Sequence, residues 1–209
     1  MDIFEPPPEL TRRGEGAGVY TISGFLSDAE CSAYIAQGEA LGYEAAAVQT
    51  EIGELIVKDV RNNDRVLLDD AMWAQALFER ARPLLSLEEC GGTLCGFNER
   101  LRFYRYDVQQ QFDWHYDGSV CLGDGRESML TFMIYLNDDF EGGNTDFRWT
   151  SVRPVRGTAL VFPHHLMHRG APVKRGLKYV LRTDVMYRMP PSVAAMRERE
   201  RQKVRSLAW

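Results

Sequence analysis

Four histidines, His115, His164, His165 and His168, carry most of the chemistry this sequence offers, and all lie in its second half. His115-Tyr116-Asp117 is a His-x-Asp. On a strand, residues i and i+2 point to the same side, so one imidazole and one carboxylate can meet one metal ion. A distant histidine would complete a two-His, one-carboxylate set on one face of a non-haem Fe(II). Three coordination positions then stay open, as binding a chelating cosubstrate together with dioxygen requires. The pair alone is common, and three histidines compete for the distal place.

The elements that must position these residues belong to an ordinary globular chain. It has 209 residues, 44% hydrophobic, with 4 Trp, 9 Tyr and 10 Phe, enough apolar surface to build a core and too much for disorder throughout. Charge interrupts every apolar run well short of the roughly 20 residues of a spanning helix, so no membrane role is expected. The net charge of −5 gives no global basic field for nucleic acid. Met1 to Glu5 has neither the basic nor the apolar region of a secretory signal. Cys31, Cys90, Cys95 and Cys121 show no Cys-x-x-Cys spacing. Reduced thiols and a cytoplasmic location are the expectation.

Residues 1–18, with Pro6-Pro7-Pro8 and three glycines, read as an extended arm entering the fold at Val19. Ser27-Asp28-Ala29-Glu30 is a capping box, predicting a helix that runs to about Gly42. Strands are expected at 43–49 and 55–60 around a turn at 51–54, and a second helix after Asp69-Asp70 that stops before Pro83. From Leu94 onward short β-rich runs take over: 101–106, 129–137, 144–149, 159–162 and 179–187. Helices first and strands after predict an α+β fold with antiparallel sheets in a sandwich or jelly roll. One domain would span 19–190, and the charged tail 191–209 reads as a solvated helix.

Five ordered motifs resemble the Fe(II)/2-oxoglutarate dioxygenases of the prolyl 4-hydroxylase type. They are His115-x-Asp117, Tyr135-Leu136-Asn137, Gly142-Gly143-x-Thr145-x-Phe147, Gly157-x-Ala159-Leu160-x-Phe162 and His168-x-Gly170-x-Pro172-Val173-x-x-Gly176-x-Lys178. Together they span about 100–190. The resemblance implies a double-stranded β-helix with supporting N-terminal helices and with iron held by His115, Asp117 and His168. His164 and His165 lack the Gly-x-Pro-Val and Lys pattern that follows His168, and would line the pocket mouth or a surface turn. Ten places after His168, Lys178 would pair with the distal carboxylate of 2-oxoglutarate. Tyr106 and Tyr135 occupy positions where the family binds the cosubstrate, and Thr145 would line the same pocket.

Arg182 shares the strand face of Lys178, so it could reach the same carboxylate, pair with Asp184 or bind substrate. Arg102, Tyr104 and Tyr106 alternate onto one face, as a polar barrel interior would require. The loop 118–126 and the polar segment 60–65 read as lids, with Arg65, Arg126 and Trp149 as candidate substrate contacts.

The implied activity is hydroxylation of an unactivated C–H with release of succinate and CO2, supported by ascorbate. The implied substrate is a prolyl residue of a protein or peptide, with a free amino acid or small metabolite as the alternative. A further alternative is a jelly-roll binding protein that keeps the metal site without catalysis. Iron halogenases of this general fold replace the carboxylate ligand by a small residue; Asp117 is present here, which favours hydroxylation.

Overall fold

The computed structural model describes residues 9–46, 48–50, 53–55 and 61–207. The chain opens with a hairpin, β1 (Thr11–Gly16) against β2 (Val19–Ser23). The expected arm thus joins a sheet edge from Thr11 onward, while Pro6 to Pro8 lie outside the described residues. Helix α1 (Asp28–Leu41) starts on the anticipated capping box: the Ser27 hydroxyl accepts from Glu30 N and the Glu30 carboxylate accepts from Ser27 N. It ends at Gly42, whose φ of 83° is open to glycine without a side-chain clash. Strand β3 (Asp64–Asp69) leads into α2 (Ala71–Ala81), capped by Asp70 and followed by a 3-10 turn containing Pro83. The expected turn at 51–54 is displaced, since Gly53–Leu55 pairs as a strand with Val48–Thr50. Residues 56–60 of the strand expected there lie outside the described residues.

The second half supplies β4 (Gly92–Phe97), β5 (Arg100–Tyr106), β6 (Phe112–His115), β7 (Arg126–Tyr135), β8 (Thr145–Phe147), β9 (Ala159–Pro163), β10 (His168–Gly170) and β11 (Lys178–Arg188). Helix α3 (Pro191–Leu207) closes the described chain. No described helix is long and apolar enough to cross a membrane.

The large sheet runs β1-β2-β9-β7-β11-β5-β3, with Glu44–Ala45 on its far edge, and every pairing is antiparallel. Strand β11 meets β7 along one edge and, along the other, β5 at its start and β4 at its end. The small sheet, β6-β10-β8 plus Ser151–Val152, is also antiparallel.

The pleat sorts each long strand into two faces. Leu101, Phe103, Phe132, Ile134 and Leu181 pack in one core with Tyr34 of α1 and Leu77 of α2. Tyr104, Tyr106, Tyr135 and Val180 point the other way, into a second core with Phe147 and Val152 of the small sheet. This is the α+β jelly roll: helices cover one face of the large sheet, and the small sheet closes over the other. Burying each large apolar side chain contributes roughly 1.5–3 kcal/mol. A buried ion pair fastens the helices together, with Arg80 Nη2 2.7 Å from Glu30 Oε1.

Candidate active site

Between the sheets lies a pocket of about 40 Å³, lined by residues that include His115, Asp117, Thr131, Thr145, His168, Lys178 and Arg182. Strand β6 delivers His115 at its last residue, and β10 delivers His168 at its first; the two are register partners. Asp117 sits beyond the strand, so the pleat does not align it with His115. Its backbone N–H donates to His164 O at 3.1 Å, and that bond turns the carboxylate inward.

Candidate ligand atoms of His115, Asp117 and His168 all lie within 4.8 Å of one another. His115 Nε2 is 3.7 Å from Asp117 Oδ1, and His168 Nε2 is 3.6 Å from Asp117 Oδ2. Each Nδ1 faces a carbonyl: His115 toward Asp113 O at 2.6 Å, His168 toward Leu166 O at 2.9 Å. A carbonyl can only accept, so Nδ1 of a neutral ring carries the proton and Nε2 offers its lone pair inward. Burial keeps both rings neutral, depressing His115 to about 3 and lowering His168 as well. Burial would raise Asp117, but Arg182 and the two histidines outweigh it and hold the group ionised. Two neutral imidazoles and one carboxylate converging this way fit a divalent metal of the non-haem iron kind.

The carboxylate is gripped from both sides. Arg182 Nη1 lies 2.8 Å from Oδ1, and the Thr131 hydroxyl donates to Oδ2. The Thr131 hydroxyl proton is committed to its hydrogen bond with Asp117, so its oxygen accepts from His164 Nδ1 at 3.0 Å. His164, also held neutral by burial, then accepts a hydrogen bond at Nε2 from the Ser128 hydroxyl at 2.9 Å. With both ring nitrogens committed, His164 is neither a third ligand nor a mouth residue; it stands behind Asp117. His165 occupies an exposed turn.

Lys178 is only 2% exposed, at the start of β11. Its Nζ donates to Gly143 O at 2.6 Å and lies 5.1 Å and 5.6 Å from the ring centres of Tyr106 and Tyr135. Among the described residues no carboxylate comes within ion-pair distance of it. Burial depresses it to about 7, with Asp146 only partly opposing. Gly143 permits this approach: its φ is +64°, and a Cβ there would stand 3.1 Å from Lys178 Cδ.

Tyr106 and Thr145 line the pocket as expected. Tyr135 is displaced from the lining; its hydroxyl shares a 2.7 Å hydrogen bond with Thr145 Oγ1 just behind it. Arg182 does line the pocket, but it engages Asp117 and, at 3.3 Å, Asp184.

The three candidate substrate contacts are not brought together. Arg126 pairs with Asp124 and Glu99, and Trp149 donates to Glu15 O from a separate groove beside Trp114. Arg65 opposes Tyr104 in the sheet register without lining the pocket. The loop expected as a lid at 118–126 is folded back on β7, with Val120 N donating to Ser128 Oγ and Ser128 N to Val120 O.

Arg61 is the residue that sequence reasoning passed over. It is 5% exposed, with its guanidinium 4.7 Å from the Tyr104 ring centre and 4.5 Å from that of Phe112. The only signal was its place in the polar segment 60–65.

Comparison with known proteins agrees with this geometry. Residues 101–183 match the family model of the 2OG-Fe(II) oxygenase superfamily. That segment, which carries His115, Asp117, His168 and Lys178, is thus similar to the 2OG-Fe(II) oxygenases. Within the class, the likeness is to prolyl hydroxylases. Prolyl 4-hydroxylase 1 of Arabidopsis thaliana is 25% identical over 169 residues, covering 69% of this chain and 56% of that protein. The viral collagen prolyl hydroxylase of Paramecium Bursaria Chlorella virus-1, solved as its 2OG complex, superposes with a TM-score of 0.60 at 26% identity, covering 82% of this chain and 97% of that one. A Trichoplax adhaerens prolyl hydroxylase, solved with a hypoxia inducible factor peptide fragment, shares the fold with a TM-score of 0.61 at 15% identity, over 92% of this chain and 87% of that one. The chain spans 56% and 64% of the length of the two Arabidopsis thaliana relatives it matches.

Proposed function

We propose that the protein is an Fe(II)- and 2-oxoglutarate-dependent dioxygenase that hydroxylates a C–H bond of a prolyl substrate. His115, Asp117 and His168 would hold the metal through Nε2, carboxylate and Nε2. With 2-oxoglutarate and dioxygen, the iron supplies the oxidant for hydroxylation, releasing succinate and CO2.

One observation carries the reading. Lys178, a buried ammonium without a carboxylate partner among the described residues, lines the same pocket as the three convergent ligands. An unpaired buried cation is costly and is relieved by an incoming anion. The distal carboxylate of 2-oxoglutarate meets that need, with Tyr106 as the neighbouring aromatic wall and the Tyr135–Thr145 pair behind it. Thr131 and Arg182 fix the ligand carboxylate, and Phe112, stacked 3.5 Å from the His115 ring, holds that imidazole in place.

A prolyl residue of a protein or peptide is the proposed substrate, on the strength of the relatives' names, with a free amino acid or other small metabolite as the alternative. Ascorbate would support turnover by re-reducing iron. Four cysteines free of disulfides support a cytoplasmic setting.

Anaerobic titration with Fe(II) and 2-oxoglutarate tests the reading. The visible charge-transfer band of the chelate should form in the wild type and vanish in His168→Ala. Absence of the band, with Fe(II) binding also absent, leaves a jelly-roll binding protein instead.

A further inference from the structure

Three guanidiniums surround the Tyr104 ring on the wall of the pocket. Register places Tyr104 opposite Val180 and Arg102 opposite Arg182, and Arg61 lies over the Tyr104 ring. Burial alone would raise the Tyr104 hydroxyl, yet the combined field of Arg182, Arg61 and Arg102 lowers it below the ordinary tyrosine range.

Among the described residues the carboxylates facing this cluster are Asp117 and Asp184, and both are fully engaged. Asp184 accepts from Arg102 at 3.0 Å, Asn98 at 3.2 Å and Arg182 at 3.3 Å. Asp117 accepts from Arg182 and Thr131 and is the proposed metal ligand. Among the described residues Arg61 has only neutral partners, Asn63 Oδ1 at 2.8 Å and the two rings. Two donors in the cluster, Arg61 Nη2 and Arg182 Nε, are buried without an acceptor. Among the described residues, three cations against two carboxylates leave one positive charge unanswered. The cosubstrate does not answer it, because its own carboxylates are matched by Lys178 and by the metal.

We infer that the substrate brings a free carboxylate to the Arg61 side of Tyr104, so that the proline oxidised is free or C-terminal and not internal to a peptide. The inference rests on the oxygenase reading above and narrows its substrate. A guanidinium fork matches the two oxygens of a carboxylate, whereas the amide carbonyl of an internal proline accepts hydrogen bonds but leaves the charge unpaired.

The experiment uses the full chain loaded anaerobically with Fe(II) and 2-oxoglutarate, and reads the shift of the chelate band as candidate ligands are added. The ligands are proline, N-acetylproline, N-acetylproline amide and a peptide with one internal proline; succinate formation is then measured in air. At least one of the two acids should shift the band and support succinate formation at a concentration about tenfold or more below that of the amide and the internal-proline peptide. Arg61→Met should erase that preference while the chelate band still forms. Equal or better response to the amide or the peptide overturns the inference, as does no response to either acid, or a preference that survives in Arg61→Met. The wild-type comparison stands even where Arg61→Met folds poorly. If the chelate band never forms, the oxygenase reading fails; if it forms without discrimination, only the substrate inference fails.

Discussion

Arg182 Nη1 lies 2.8 Å from Asp117 Oδ1, so the carboxylate of the proposed metal set already has a cationic partner inside the protein. Both groups are buried, with side-chain exposures of 13% and 4%. The guanidinium lets a carboxylate wait, ionised, in a dry pocket before any metal arrives. Its charge also opposes that of an incoming cation.

Replacing Arg182 by Met should therefore uncouple stability from metal binding. Breaking a buried pair by removing one partner costs about 3–5 kcal/mol, so the metal-free variant should melt well below the wild type. Added Mn(II) should restore more of the loss than it adds to the wild type, because the metal then supplies the missing positive charge. Differential scanning fluorimetry with and without Mn(II) measures both effects; equal metal-induced shifts would show that Arg182 does not set the charge balance of Asp117.

Thr131 acts on the other carboxylate oxygen and receives its own orientation from His164. Thr131→Val keeps the shape and removes the hydroxyl. Loss of a hydrogen bond that orients a metal ligand lowers metal affinity about 10–100-fold. Calorimetric Mn(II) binding should show that loss, and Thr131→Ser should recover most of it.

Lys178 gives the metal-free protein a pH signature. Its folded value of about 7 lies below its ordinary 10.5, so between these limits the unfolded chain binds the extra proton. Stability attributable to this group should then rise as pH increases from about 7 to about 10.5, and stay flat below. Lys178→Met should remove that rise, as judged from urea denaturation at pH 7 and pH 9. The same variant should demand far more 2-oxoglutarate to form the chelate band, with Fe(II) affinity little changed.

Glu30 serves two structures at once, accepting from Ser27 N in the capping box and from Arg80 across to α2. Glu30→Ala should cost about 3–5 kcal/mol by removing the carboxylate from a buried ion pair, with the lost cap adding to it. Glu30→Gln should cost less. Chemical denaturation ranks the two; a Glu30→Ala loss below about 1 kcal/mol would mean that the pair only balances its own desolvation.

Much of the site was legible because strand periodicity carries it. Alternation along 102–106 and 178–184 grouped the polar residues onto shared faces from residue types alone, leaving open which way each face points, and the capping box at Ser27 marked the start of α1. Asp117 lies beside His115 as the His-x-Asp spacing suggests, but a backbone bond to His164 O, and not the pleat, directs it. That bond joins residues 47 positions apart, which no local pattern encodes. The pairing of Arg182 with Asp117 stayed hidden for the same reason, since several partners were open to it on one strand face. Strand β1 escaped because Thr-Arg-Arg-Gly-Glu-Gly has no apolar alternation; an exposed edge strand needs none. Arg61 escaped because a lone arginine in a polar segment reads as solvated until Tyr104 and Phe112 fold over it.

Strand β11 holds Lys178, Arg182 and Asp184 on one face while its two edges are bonded to three other strands. Sliding it by a single residue would turn all three side chains toward the helices together. The cosubstrate anchor, the clamp on the ligand carboxylate and the partner of the arginine cluster therefore share one mechanical fate. The long strand acts as a key with three teeth: it seats with every tooth in place, or the lock does not turn.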